Sequence, residues 1–187
     1  AQLGKGEYLI AEADESDKSF LLLQPSISVI TNIEPDHLIN YEDNFDNLKN
    51  AFLEFIKKLP FNGISIVCGD DPVISELKTS FQRSHISYGF DPKNDYVLSE
   101  YESDGRKSTF KITSNLNSID ITLNMLGRHN ALNAAAAIVL CLLENIPVTV
   151  IKESLEGFMG IDRRMQILGE QVNEKSSKVY ICLLYTS

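Results

Sequence analysis

The chain has 187 residues, 43% of them hydrophobic and 23% charged, with a formal net charge of −9. That length and composition predict one globular domain, with a piece of a second, around a real apolar core. The acidic balance argues against non-specific nucleic-acid binding, which needs a basic face. It does not exclude a nucleotide, whose phosphates are held locally by metal and backbone groups.

The longest apolar run, residues 134–143, falls short of the roughly 20 residues a membrane span needs, and no stretch reads as a signal peptide. Cys68, Cys141 and Cys182 have no metal-like spacing. Cys68 and Cys141 lie in apolar runs and read as small buried hydrophobes in a reducing compartment. The chain starts at Ala1 rather than Met, so a fragment of a longer cytoplasmic protein is expected.

Two apolar runs come first. Residues 8–11 lead into Glu12, Asp14, Glu15 and Asp17; residues 28–33 lead into Glu34, Asp36 and His37. Short runs rich in β-branched residues predict buried strands. In open α/β sheets, ligands bind beyond the carboxyl ends of strands. Were the two strands neighbours, both polar clusters would share one sheet edge. There Glu12, a hard oxygen donor, and His37, an imidazole, could hold a divalent metal beside a phosphate. Solvated acidic loops and a hydrogen-bonded surface histidine account for the same residues without a ligand.

Helical spacing of Phe45, Leu48, Phe52, Phe55, Ile56 and Leu59 follows. Asp43 or Asn44 can cap it, Asp46 suits its first turn, and Pro60 and Gly63 stop it. Residues 64–68 predict a third strand. Asp71 and Pro72 then open a helix carrying Val73, Ile74, Leu77 and Phe81. Asp70 and Asp71 invite a metal, but capping accounts for at least Asp71. Residues 85–90 predict a fourth strand, with His85 at the surface. From residue 96 to 125 three stretches alternate apolar and polar residues between Ser/Asp/Gly/Asn turns, which predicts an antiparallel meander with one wet face. The expected fold is therefore α/β: a mainly parallel sheet flanked by helices, with an antiparallel meander.

The string Gly127-Arg128-His129-Asn130-Ala131-Leu132-Asn133-Ala134 opens an alanine-rich helix that runs to about Glu144. Asn130 and Asn133 are three apart and share a face near its start. Their carboxamides can read the edge of a base, or simply cap the helix. A short helix over residues 150–158 follows, with Thr149 as its cap. The adjacent Arg163 and Arg164 suit either an anion or solvent. A strand begins near Lys178.

EADESDKSFLLLQP followed by TNIEPDHLINYE resembles the central domain of the Mur ligase family, a nucleotide-binding type of domain. The helix-opening G-R-H-N-x-x-N-x-x-A string resembles the family's as well. The likeness spans residues 3–181 and is nearest to the alanine-adding branch. It implies a central ATP-binding domain over 1–160 and the start of a C-terminal domain over 161–187. Residues 182–187 depart from the family and are expected to be non-native. It implies ATP and Mg2+ as cofactors, with Glu12 and His37 as metal ligands. Asn130, Asn133 and, more weakly, His129 would contact the nucleotide. Arg163 or Arg164 would reach nucleotide or UDP-sugar phosphates.

The implied reaction adds L-alanine to UDP-N-acetylmuramate through an acyl phosphate, in cytoplasmic peptidoglycan synthesis, with no nucleic-acid or membrane partner. The family's G-x-x-G-K-T phosphate loop does not occur in this sequence, and the substrate pockets are mostly outside it, so the fragment alone is expected to be inactive. Some family members carry a carbamylated lysine, but Phe52 stands at that register. Lys49, nearby, is expected to be a solvated helix residue. Other readings are a different Mur-type ligase, for tripeptide recycling or later amino-acid addition, and a non-catalytic nucleotide-binding module.

Overall fold

A computed structural model of the protein describes residue 6, residues 8–160 and, as backbone, residues 164–172 and 178–184. The chain divides into two compact units. One takes in residues up to 65 together with 71–85; the other takes in 66–70 and everything from 86 onward. Six strands lie in chain order in one mixed, mostly parallel sheet: β1 (Ile27–Ile30), β2 (Ile64–Cys68), β3 (Ser84–Gly89), β4 (Tyr96–Ser103), β5 (Ser108–Thr113) and β6 (Ser118–Leu123). A separate antiparallel pair is formed by β7 (Arg164–Val172) and β8 (Lys178–Leu184). The expected fold class is thus met.

In the first unit, α1 (Phe45–Lys57) forms where the apolar spacing predicts it. The Asn44 side chain accepts a hydrogen bond from the Asp46 N–H, and Asp46 occupies the first turn. Its inner face buries Leu48, Ala51, Phe55 and Ile56. The Phe20 ring sits 5.3 Å from Phe52 and 5.1 Å from Phe55, so a short 3-10 turn, Ser19–Leu22, is pinned to this helix by aromatic contact. The Lys58 ammonium donates to the Leu21 carbonyl oxygen and strengthens that attachment. At the other end of α1, Arg83 donates to the carbonyls of Leu59 (2.7 Å) and Lys57 (3.1 Å), groups that a helix end leaves without internal partners. The second helix, α2 (Pro72–Leu77), starts as expected: Pro72 is in its first turn, and Asp71 Oδ1 accepts from the Ile74 N–H at 2.8 Å.

The second unit is held at its first loop by Asp70. Its carboxylate accepts from the backbone N–H of Phe90 (2.6 Å) and Asp91 (2.9 Å) and from the Asn94 amide (3.0 Å). A Cβ on Gly89 would lie 2.1 Å from Asp70 Oδ1, so only glycine lets that carboxylate approach. This anchored loop allows an uncommon connection. β3 and β4 are parallel neighbours through just two residue pairs, Tyr88–Tyr96 and Gly89–Val97. A full parallel ladder would need a crossover of a dozen residues or more.

β4, β5 and β6 then form the expected meander. Phe110 opposite Ile121 and Ile112 opposite Ile119 face the core. Lys111 lies on the other face, 2.7 Å from Glu100 and 3.9 Å from Asp120. α3 (Arg128–Leu143) buries Ala131, Ala134, Ala135, Ala136, Ile138 and Val139. Small side chains there permit close packing. α4 (Val148–Gly157) lies against β6 and α3, and the Asn124 amide donates to its Glu156 carbonyl at 2.5 Å.

Four expectations are corrected. Residues 8–11 form no strand, and Leu9 and Ile10 are 92% and 87% exposed. An apolar run becomes a strand only where its backbone joins a sheet ladder, and residues 8–11 belong to neither sheet. Thr149 does not cap α4: the helix starts at Val148 after Pro147, whose carbonyl accepts from the Ile151 N–H. Phe81 lies beyond α2, which tightens into a 3-10 turn at Lys78–Ser80. Lys49 is not a solvated residue. Its side chain is 18% exposed and lies 3.6 Å from both Asp46 and Glu76.

Candidate functional site

The acidic stretch after residue 11 is ordered by its own turns. Asp14 accepts from the Ser16 N–H and Asp17 from the Ser19 N–H, each at 2.8 Å. The Ser16 side chain at Asp14 and the Ser19 side chain at Asp17, and then these backbone bonds, hold both carboxyls below the usual aspartate value.

The second polar cluster follows β1 and folds onto the first. Tyr41 is fully buried, and its hydroxyl donates to the Glu15 carbonyl oxygen at 2.5 Å. The Asn40 amide donates to the Ser16 carbonyl oxygen at 2.8 Å. Asn40 and Tyr41 belong to a 3-10 turn, Leu38–Tyr41, that His37 precedes with φ 52. The Lys18 ammonium lies 4.8 Å from the Tyr41 ring centre. The two acidic segments therefore meet, although the strand expected to carry the first does not form.

Between them is a cavity of about 230 Å³, within the first unit. Ala13 and Glu15 line it from one segment; Thr31, Asn32, Glu34 and Asp36 line it from the residues just beyond β1. Phe20, Leu48, Phe52 and Phe55 form its apolar side. A wall of oxygen donors facing a hydrophobic floor, at the carboxyl end of a sheet strand, is the setting in which α/β folds place ligands.

Glu12 and His37 are both exposed and do not line this cavity. The His37 N–H donates to Asp36 Oδ1 at 2.9 Å, and its Nε2 lies 3.9 Å from Asp36 Oδ2. Among the described residues, no three His, Cys, Asp or Glu side chains gather as a metal set. Asp70 and Asp71 are both engaged structurally: Asp71 caps α2 as expected, and Asp70 anchors the loop after β3. Besides capping α2, Asp71 accepts from the Ile33 N–H at 3.4 Å. His85 is exposed, with its ring edge-on to Phe81 at 5.4 Å. Cys68 is buried and Cys141 half-buried, and neither forms a disulfide with a described residue; burial pushes the Cys141 thiol up.

The remaining candidates lie in the second unit, at the start of α3. Gly127 precedes the helix with φ +97, a conformation side chains disfavour, and it offers no capping group. The His129 ring folds over it: a Cβ on Gly127 would lie 2.6 Å from His129 Cε1. The Asn130 amide donates to the Leu126 carbonyl oxygen at 2.7 Å; this is not an N-cap, since no described side chain accepts a free N–H of the first turn. Asn133 differs. It is exposed, and no described residue hydrogen-bonds its carboxamide. Arg163 lies outside the described residues, and Arg164 begins β7 with only its backbone described.

Sequence reasoning missed Tyr41, which joins the acidic segments, and Tyr101, whose hydroxyl accepts the Gly127 N–H at 3.0 Å. Each is joined by a contact 26 residues away in the chain. No local spacing announces such a contact.

Residues 2–141 match the Mur ligase middle domain. Among solved structures, the UDP-N-acetylmuramate–alanine ligase MurC of Thermotoga maritima is 25% identical, with a TM-score of 0.76 over 93% of this chain and 38% of that one. MurF of Acinetobacter baumannii is 24% identical, with a TM-score of 0.70 over 82% of this chain and 34% of that one. MurF ligase of Thermotoga maritima, solved in complex with ADP, is 17% identical, with a TM-score of 0.66 over 79% of this chain and 34% of that one. The chain thus spans 34 to 38% of the length of these proteins.

Proposed function

This chain belongs to the Mur ligase family through its middle domain, and on that premise we propose that it is the nucleotide-handling part of a longer ATP-dependent ligase of peptidoglycan synthesis. The substrates are UDP-N-acetylmuramate and L-alanine, and the compartment is the cytoplasm. No described helix is long and apolar enough to cross a membrane. The observation that carries the proposal is the docking of residues 13–20 on the turn after β1. It brings two carboxylate-rich segments to one mainly polar cavity at the end of a sheet strand. The 25% identity over nearly the whole chain supports the alanine-adding reading.

Carboxylates are poor electrophiles. Phosphoryl transfer to the muramoyl carboxylate supplies a leaving group, and the amine of L-alanine then displaces phosphate to form the amide. This chain's part is to hold the nucleotide and the reacting anions in line. Glu12 and His37 are the metal donors. A magnesium ion keeps several waters and shares phosphate oxygens, so it needs one or two protein donors and no protein cage. Exposed Glu12 and His37, flanking carboxylates already held ionised at Asp14 and Asp17, suit that requirement. Bound there, the ion would neutralise charge as two anions approach. Asn133, with its unengaged carboxamide, reads the adenine edge; Asn130 and His129 shape the helix opening beside it; Arg163 or Arg164 meets phosphate oxygens.

Glu12→Ala in the full-length ligase tests the metal assignment. The Mg2+ concentration for half-maximal phosphate release should rise at least tenfold. Unchanged Mg2+ dependence with full ligation would remove Glu12 from the site. The shared fold with MurF favours one second reading, a later amino-acid-adding ligase with the same nucleotide chemistry and a different acceptor.

A further inference from the structure

The opening of α3 is held from outside the helix as well as by its own residues Asn130 and His129. Gly127 caps nothing, and no acidic residue sits in the first turn. The Gly127 N–H is instead held by the Tyr101 hydroxyl of β4, at 3.0 Å. The Tyr101 ring meets Phe90 edge-to-face, with centroids 6.2 Å apart and planes at 87°. The Arg128 guanidinium lies 3.6 Å from the centre of the Phe90 ring. Phe90 is in turn fixed through its own N–H, which donates to Asp70 at 2.6 Å. A chain of contacts therefore runs from Asp70 through Phe90 to Tyr101 and Arg128, on either side of Gly127.

Such an arrangement is more than the helix needs in order to form. A serine or aspartate cap would stabilise the same terminus locally. A cation at a helix N-terminus opposes the helix dipole, yet Arg128 stands there and is held by an aromatic face. The backbone of residues 126–128 is thus set to one conformation by residues of β4 and of the loop after β3. Asn130 and Asn133 project from the turn that this conformation begins.

We propose that Tyr101 and Phe90 are positioning residues for the nucleotide: they fix the α3 opening so that Asn133 meets the base without reorganisation. This rests on the reading of α3 as the nucleotide helix. Pre-set geometry lowers the ordering cost of binding, so its loss weakens affinity for that ligand and leaves the others alone.

The test is Tyr101→Phe in the full-length ligase, which removes one hydroxyl and keeps the ring. The KM for ATP should rise about five- to tenfold, as expected for one hydrogen bond of about 1 kcal/mol. The kcat and the KM values for UDP-N-acetylmuramate and L-alanine should stay within twofold. Phe90→Leu, which keeps apolar volume and removes the ring, should move the ATP KM in the same direction. Asn133→Ala is measured in parallel. An unchanged ATP KM in both Tyr101→Phe and Phe90→Leu, beside a raised one in Asn133→Ala, would overturn the positioning role and keep the nucleotide reading. An unchanged ATP KM in all three would overturn both. A role in stability alone would lower the melting temperature without shifting the ATP KM, and that too would contradict the proposal.

Discussion

Tyr41 shows how one side chain ties local chemistry to folding. Burial, then the charges of Glu15, Asp17 and Asp14, push its phenol up to about 12, against an ordinary value of 10.0. A folded-state value above the unfolded one contributes stability that is fully present below pH 10 and is lost as pH rises toward 12. Unfolding midpoints should therefore fall across that window, and Tyr41→Phe should flatten the fall. Urea unfolding at pH 8, 10 and 11.5 checks this; an equal slope in both proteins would detach Tyr41 from the effect. Burial shifts Tyr88 in the same direction, which is why the variant, and not the wild-type curve alone, is the control. At this scale the sequence was legible where a residue acts on its immediate neighbours. Asn44 and Asp71 cap helices as their spacing predicts, because a cap bonds two or three residues ahead. Asn130 kept two readings in the sequence, and the structure gives its amide to Leu126. Tyr41 and Tyr101 were illegible because their partners are distant in the chain.

Among elements, α1 and the meander could be read from periodicity, since each buries one face, and β2 from its continuous apolar run, which is buried on both faces. Residues 8–11 could not. Composition marks them as apolar and β-prone, but a strand is defined by a partner. The short parallel contact of β3 with β4 was equally hidden, because it depends on Asp70 gathering the N–H groups of the intervening loop. The α2 terminus offers a clean test of how much a cap contributes. Asp71 bonds Ile74 at 2.8 Å and reaches Ile33 at 3.4 Å, so it joins the helix to the segment after β1. Asp71→Ala should destabilise the protein by about 1–2 kcal/mol, while Asp71→Asn, which keeps an acceptor oxygen, should lose less than half of that. The urea midpoint at constant slope measures both, and equal losses would mean that charge, not the cap, matters at this position.

At the scale of the molecule, family membership sets the frame: a nucleotide-handling middle domain, whose candidate donors fall in both compact units. The metal candidates sit beside the cavity of the first unit and the base-reading candidates at the α3 opening of the second. The long ungapped likeness made the family readable from sequence. Periodicity and spacing alone left Glu12, His37 and the asparagine pair with bland alternatives, because exposed polar residues serve solvation as readily as ligands. The central claim is the alanine-adding activity, and one assay addresses it directly: phosphate release from ATP by the full-length ligase, with UDP-N-acetylmuramate and each amino-acid acceptor in turn. Release and amide formation should require UDP-N-acetylmuramate and L-alanine together. Release driven instead by a UDP-muramoyl peptide with a dipeptide acceptor, and none with L-alanine, would contradict it and make the later-acting ligase the correct reading.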